Sequence, residues 1–353
     1  MNVVFLGATI VLLVVAILMV RELRAGRTRP IRLPAPGPFA PDDVPDITKV
    51  GRAFQRAPTG GQPPTPLEAG VDVEEDLPST ELQEPVTAYE GDSAVGINEV
   101  TGPVELILVT AAGKTDQGLR RRRNEECYAE LPAHALYVVA DGMGGYVGGD
   151  VASRLAIETM SKVFDSGRFS GEPNPSRPRR GNELVWCIEA ANLAIYEVAA
   201  ANQQYHGMGT TVLAARFSNK KQRVFICHVG DSRCYRFRDG SLKCLTSDHT
   251  LAAVGVTGPY AEHLSRVVGI GPKVTVDLIV DAPRHDDFYL LCTDGLSKMV
   301  SNDALLRAIA EHREPEDAVR TLIAKANEAG GRDNITVIAI AVKEPGRSPR
   351  ATT

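Results

Sequence analysis

The chain has 353 residues, of which 43% are hydrophobic and 24% charged, and a formal net charge of −5. That is enough apolar material for one core of about 240 residues, and the mild acidity gives no sign of a nucleic-acid surface. Six scattered cysteines with no CxxC pair argue against zinc or a disulfide framework and read as buried thiols in a reducing compartment.

Residues 3–20 form an 18-residue run without a charge, just long enough to cross the hydrocarbon core as a helix. Arg21, Arg24, Arg27, Arg29 and Arg32 follow, and nothing basic but the amino terminus precedes them. The positive-inside rule then predicts a single-pass membrane protein, with its N-terminus outside and everything after Arg21 in the cytoplasm. A cleaved signal peptide is the competing reading, but the basic leader and the small-x-small site it needs are missing. Residues 1–20 are therefore assigned to a transmembrane helix and 21–103 to a basic juxtamembrane stretch followed by a linker. Prolines at 34, 36, 38, 41, 45, 63, 64 and 66 break any period there, and an acidic patch follows at Asp72, Glu74, Glu75 and Asp76. Such a segment reads as disordered and partly extended.

Residues 104–343 read as the globular domain, and 344–353 as a disordered tail. Strands are predicted at 106–112, 135–140, 210–217, 223–229, 233–237, 242–245, 275–280, 288–292 and 336–342. Arg238-Asp239-Gly240-Ser241 is a hairpin turn between two of them. Helices interrupt in pairs. One is predicted over 150–164, and the next carries Leu184, Ile188, Ala191, Ile195 and Val198 as an amphipathic stripe. Asn302 is expected to cap a third helix, through about His312, and Pro315 to open a fourth that stops at Gly330. Between the first pair, residues 171–181 form a basic surface loop. Strand blocks separated by helix pairs indicate an α+β fold, with sheets inside and helices outside.

Three times an apolar run meets an aspartate followed by Gly or Asn: Asp141-Gly142, Asp294-Gly295 and Asp333-Asn334. Strand ends present carboxylates on a rigid frame. Converging carboxylates repel one another by roughly 3 kcal/mol per pair at ~5 Å and an effective dielectric near 20. Such a cluster needs cations, and hard oxygen donors select Mg²⁺ or Mn²⁺ over Zn²⁺.

The segment Thr115-Asp116-Gln117-Gly118-Leu119-Arg120-Arg121-Arg122-Arg123-Asn124-Glu125-Glu126 resembles the opening motif of the metal-dependent Ser/Thr protein phosphatases, the type 2C or PPM family. Asp141-Gly142-Met143-Gly144-Gly145, Gly207-Met208-Gly209-Thr210-Thr211, Val229-Gly230-Asp231-Ser232-Arg233, Thr246-Ser247-Asp248-His249, Cys292-Thr293-Asp294-Gly295-Leu296 and Gly331-Arg332-Asp333-Asn334-Ile335-Thr336 follow in the family's order. Motifs in that order are similar to the bacterial branch over residues 106–342.

The resemblance implies a four-layer αββα sandwich of two antiparallel sheets flanked by helix pairs. It implies two Mn²⁺ or Mg²⁺ ions, bridged by Asp141, with Asp294 and Asp333 on the first and the Gly142 carbonyl on the second. Glu125 would hold waters on the second ion, and Asp231 with Asp294 would hold a third, weaker ion. Arg121 would grip the substrate phosphate through its guanidinium fork. The implied activity is hydrolysis of phosphoserine and phosphothreonine on cytoplasmic proteins by a water that the two ions activate. The implied partners are phosphorylated proteins, among them a Ser/Thr kinase and its substrates, met at the membrane.

Departures from the family pattern are specific. Glu126 stands in place of an aspartate, and whether it reaches a metal through water is left open. Met143 and Tyr146 replace histidines of relatives. Asp248 and His249 read as loop-fixing residues, Ser232 and Arg233 as a structural pair, and Asp239 as a turn residue. A short flap between His249 and Leu264 implies an open groove. The alternative is a non-catalytic scaffold of the same fold that binds phosphoproteins without turning them over.

Overall fold

The apolar runs at 288–292 and 335–343 have no polar alternation because both faces of those strands are covered. In a computed structural model that describes residues 86–88, 107–143, 148–218 and 222–344, successive side chains serve two different cores. Phe288, Leu290, Cys292, Val337, Ala339 and Ala341 join one cluster with helix residues Leu305, Ile309, Leu322 and Ile323. Tyr289, Leu291, Ile338, Ile340 and Val342 point the other way, into a cluster with Tyr137, Val139, Leu213, Phe217 and Ile226 of the opposing sheet. The period of two thus splits each strand between layers.

In chain order the strands are β1 (Val86–Ala88), β2 (Leu108–Asp116), β3 (Glu126–Leu131), β4 (Leu136–Met143), β5 (Gly209–Thr210), β6 (Val212–Ser218), β7 (Arg223–Val229), β8 (Arg233–Arg238), β9 (Ser241–Cys244), β10 (Asp277–Asp281), β11 (Phe288–Cys292) and β12 (Ile335–Lys343). The helices are α1 (Gly149–Ser166), α2 (Arg179–Ala201), α3 (Asp294–Ser297), α4 (Asn302–Glu311) and α5 (Pro315–Glu328). One sheet runs β1-β10-β7-β6-β4-β3, with β5 beside β4, and the other runs β2-β12-β11-β8-β9. Helices α1 and α2 pack on the first sheet and α4 and α5 on the second, so the expected two sheets between helix pairs are present.

A buried ion pair ties the sheets together. Arg236 on β8 donates to Asp281 on β10 at 2.6 Å, and the Tyr289 hydroxyl of β11 donates to the other Asp281 oxygen at 2.7 Å. The Arg236 and Asp281 side chains are 9% and 3% exposed, so the pair is held in low dielectric and is costly to break.

Several expectations need correction. The first sheet is not wholly antiparallel: β1 pairs parallel with β10. It lies within residues read as linker, where three residues are too few to show a period. Strand β3 was not expected, because its sequence ECYAEL opens on a glutamate after an arginine run. Ser301, not Asn302, caps α4, its Oγ accepting from the Ala304 N–H at 3.3 Å. The basic loop ends at Pro178, and Arg179, Arg180 and Gly181 form the first turn of α2. The hairpin at Asp239-Gly240 has both residues at positive φ, 47° and 74°, as a tight two-residue turn requires. Among the described residues α2 alone is long and apolar enough to cross a membrane, but it buries Leu184, Ile188, Ala191 and Ile195 inside the fold. The expected membrane helix at 3–20 lies outside the described residues, as do all of the tail but Glu344 and nearly all of the linker.

Candidate metal centre

Strands β3 and β4 place Glu126 directly opposite Asp141 in the pairing register. Side chains opposite each other on one face stand about 5 Å apart, so two carboxylates are forced together by the sheet itself. The tight turn from β11 into α3 brings in a third. One oxygen each of Glu126, Asp141 and Asp294 lies within 4.8 Å of the others. Two of these carboxylates keep a buried oxygen without a hydrogen-bond partner, Glu126 Oε1 and Asp294 Oδ1. Buried acceptors are almost always satisfied, and unpartnered oxygens within a cluster of carboxylates fit a hard divalent cation.

The electrostatics agree. Burial pushes the Glu126 carboxyl up to about 8, against hydrogen bonds from Thr336 and Thr293, with repulsion from Asp294 and Asp333 adding to the rise. Solvent still touches one edge of Asp141, but protein crowds the rest of it. Desolvation first, then repulsion from Glu126, Asp294, Asp231 and Asp333, lifts its carboxyl well above the usual range. Without cations the cluster retains protons. With them it can ionise.

Two further oxygens converge beside it. Gly142 O and Glu125 Oε1 each lie 2.8 Å from where a Cβ would stand on Gly149, at the start of α1. Only glycine leaves room for both, which are the atoms expected on the second ion. The turn is fixed by the Gly142 N–H donating to Glu125 O at 3.1 Å and by the Ser153 hydroxyl donating to the same oxygen at 2.7 Å. Gly295 is equally constrained, since a Cβ there would meet Asn334 O at 1.8 Å.

Asp333 stands at the rim. Its Oδ2 accepts from Arg121 Nη2 at 2.7 Å and its Oδ1 from the Asn334 N–H at 2.8 Å. The side chains of Arg121 and Asp333 are 49% and 33% exposed, so the pair is open to solvent and to an incoming anion. Asn334 ties the loops together, donating to Gln117 O and Arg123 O and accepting from the Glu125 N–H.

Asp231 does not face an open cation site. Lys298 Nζ donates to Asp294 Oδ2 at 2.7 Å and to Asp231 Oδ2 at 3.3 Å. Burial alone would lower the Lys298 ammonium, but the two carboxylates raise it above its ordinary value. No sequence motif flagged this lysine; its place four residues after Asp294, one helical turn on, was the available signal.

His228, His249 and Asp277 form a second group of candidate donors. The Gly230 N–H donates to His249 Nδ1 at 3.1 Å, so Nε2 carries the proton that faces Asp277 at 3.1 Å. Arg266 also binds Asp277. Burial pushes Asp277 up, yet those hydrogen bonds hold it at about 2, and burial keeps His228 neutral by lowering it to about 3. An Arg and a protonated Nε2 leave no room for a metal, and the group fixes the turn before Asp231. Asp248 takes both Arg233 Nε and Nη2, at 2.9 and 2.7 Å, and is likewise structural. Thr211 Oγ1 and Ser232 Oγ share a hydrogen bond of 2.9 Å. Met143 ends β4 and is exposed, while Tyr146 lies outside the described residues.

Residues 124–327 match the sequence model of the family described as Protein phosphatase 2C. The chain belongs to that family. Among type 2C relatives, it is 32% identical over 243 residues to Serine/threonine phosphatase stp of Listeria welshimeri, which spans 64% of this chain and 93% of that protein. It is 36% identical over 250 residues to Serine/threonine protein phosphatase PstP of Mycobacterium tuberculosis, spanning 67% of this chain and 45% of that protein. The solved catalytic domain of PstP in complex with two manganese ions superposes with a TM-score of 0.58 at 34% identity, covering 67% of this chain and all of that one. Type 2C membership, with that metal-bound relative, accounts for an acidic cluster the fold would otherwise have to neutralise with protons.

Proposed function

We propose that this chain is a membrane-tethered, metal-dependent protein phosphatase that hydrolyses phosphoserine and phosphothreonine on cytoplasmic proteins. The observation that carries the catalytic part is the convergence of Glu126, Asp141 and Asp294 oxygens within 4.8 Å in a chain of the type 2C family. Asp141, Asp294 and Asp333 would hold the first of two Mn²⁺ or Mg²⁺ ions. Asp141, the Gly142 carbonyl and Glu125, through water, would hold the second. Bound there, the ions supply an activated water and neutralise charge on the phosphoryl oxygens.

The chain's own residues do the remaining work. Arg121 sits at the solvent edge of the cluster on Asp333, and its guanidinium has donors to spare for two phosphoryl oxygens in a bidentate grip. Arg120 and Arg122 beside it are exposed and add positive field for an anionic substrate. Glu126 occupies the family's aspartate position and lies inside the cluster, its Oε2 fixed by the Thr336 hydroxyl at 2.5 Å. The longer side chain is thereby held, with Oε1 buried and without a hydrogen-bond partner. Asp141 is positioned through its backbone, its N–H donating to Thr211 Oγ1 at 3.1 Å and its carbonyl accepting from Thr210 Oγ1 at 2.9 Å.

The tether rests on the uncharged run 3–20 and the arginines after it. It would place the domain, assigned to 104–343, on the cytoplasmic face of a bacterial inner membrane. Anchoring raises its effective concentration near membrane partners, which we take to be a Ser/Thr kinase and that kinase's substrates. The first test is hydrolysis of p-nitrophenyl phosphate and of a phosphothreonine peptide with Mn²⁺, before and after chelation, for wild type and Asp294→Asn. Wild-type turnover that chelation and the substitution both abolish supports the reading. Equal rates in all samples would refute it. For the tether, wild type should resist carbonate extraction from membranes, and deletion of residues 1–20 should release it.

A further inference from the structure

The third-ion position expected at Asp231 and Asp294 already contains a cation of the protein's own making. Lys298 follows α3, and its N–H donates to Asp294 O at 2.8 Å, which continues the helical turn and points the side chain back over the carboxylates. Its Nζ lies 2.7 Å from Asp294 Oδ2 and 3.3 Å from Asp231 Oδ2. Asp231 is 5% exposed, so its charge has little water to rely on and needs a partner. A divalent ion would have to sit about 2.0–2.2 Å from the same oxygens, in the volume the ammonium fills. Asp294 is divided between two tasks. Its Oδ2 serves the lysine, while Oδ1, buried and unpartnered, is left for the cluster with Glu126 and Asp141.

We propose that Lys298 replaces the third divalent ion, its tethered ammonium neutralising Asp231 and Asp294 so that the centre holds two exchangeable ions and no more. The inference rests on the two-ion reading above and departs from it only at this position. A tethered monovalent charge cannot dissociate, so metal dependence should lack the weak, high-concentration phase that a loosely held third ion would give. It also repels any ion approaching Asp231. Arginine would keep the charge. Glutamine keeps the side-chain length and loses the charge.

The test is metal stoichiometry, read on the full chain in detergent by equilibrium dialysis against Mn²⁺ up to the millimolar range, with bound metal counted by elemental analysis. Wild type and Lys298→Arg should bind two ions per chain. Lys298→Ala and Lys298→Gln should bind three, the last with the weakest affinity, and adding Asp231→Asn to Lys298→Gln should return the count to two. Electron paramagnetic resonance of the bound Mn²⁺ gives the same count without reference to turnover. A third ion in wild type would overturn the proposal and leave the two-ion reading standing. So would a count of two in both uncharged variants with the first two ions still bound. Failure of every protein to bind two ions would remove the two-ion reading, and this inference with it.

Discussion

Glu126 and Asp141 stand as direct cross-strand partners on β3 and β4, two carboxylates that the sheet register forbids from moving apart. Like charges directly opposite each other are destabilising, so in the absence of cations the pair must hold protons. Burial first, opposed by hydrogen bonds from Thr336 and Thr293, raises Glu126 to about 8. In the chelated protein the folded state therefore binds more protons than the unfolded chain between about pH 4.5 and 8. A raised folded value gives stability that is complete below the unfolded value and is lost as pH rises through the folded one, at up to about 1.4 kcal/mol per pH unit for each proton. Thermal melts of the chelated protein should show the midpoint falling from pH 5 to 8. Glu126→Gln should flatten that slope, and saturating Mn²⁺ should abolish it. A melt independent of pH in the chelated wild type would contradict the account.

Arg121 and Asp333 test the phosphate grip. Their pair is half open to solvent, so its loss should cost at most about 1 kcal/mol of stability. A guanidinium fork on an anion is worth more, about 1.5–3 kcal/mol. Arg121→Ala should lower kcat/KM for a phosphopeptide by about 10- to 150-fold while the melting midpoint moves little. Lysine, which offers a point charge and no fork, should recover only part of that. Steady-state kinetics and a melt on the same preparations decide it.

The pair between Arg236 and Asp281 predicts the opposite pattern. Removing one member leaves a buried, uncompensated charge beside Tyr289. Asp281→Ala should destabilise the protein by about 3–5 kcal/mol in urea unfolding. In whatever fraction remains folded, kcat should be close to wild type, since Asp281 makes its contacts with Arg236 and Tyr289.

Gly295 gives a steric test. A methyl there would lie 1.8 Å from Asn334 O, a backbone atom that cannot swing away. Gly295→Ala should shift the Asp294 turn against the Asp333 loop. Mn²⁺ affinity should fall at least tenfold even where the variant folds, as titration calorimetry can measure.

Much of this was legible in the chain, for identifiable reasons. Strands β7 and β11 fall at the predicted bounds because turn residues bracket short apolar runs. The carboxylates Asp141 and Asp294 stood out through their glycines. Glu126 stood out only through the resemblance, because β3 shows no alternation and only pairing with β4 sets that residue opposite Asp141. The reading that strands end at the aspartates was also too simple: β4 runs on to Met143, and Asp294 opens a helix. Lys298 carried only a weak signal, because a lysine one turn after an aspartate ordinarily marks a solvated helix face. Asp231 lies far off in sequence, and only the fold brings it to the same ammonium.

The pairing of β2 with β12 joins residues 108–116 to residues 335–343, segments far apart in the chain. Arg121 and Asp333, 212 positions apart in the chain, meet only once that seam has closed. A polypeptide clipped ahead of Gly331 has neither the second strand of its sheet nor the loop that carries Asp333. Assembly of the Arg121–Asp333 pair thus depends on the closure of β2 with β12. Long-range closure of this kind is also slow. A nascent phosphatase would lack the Arg121–Asp333 pair until these two strands have found each other.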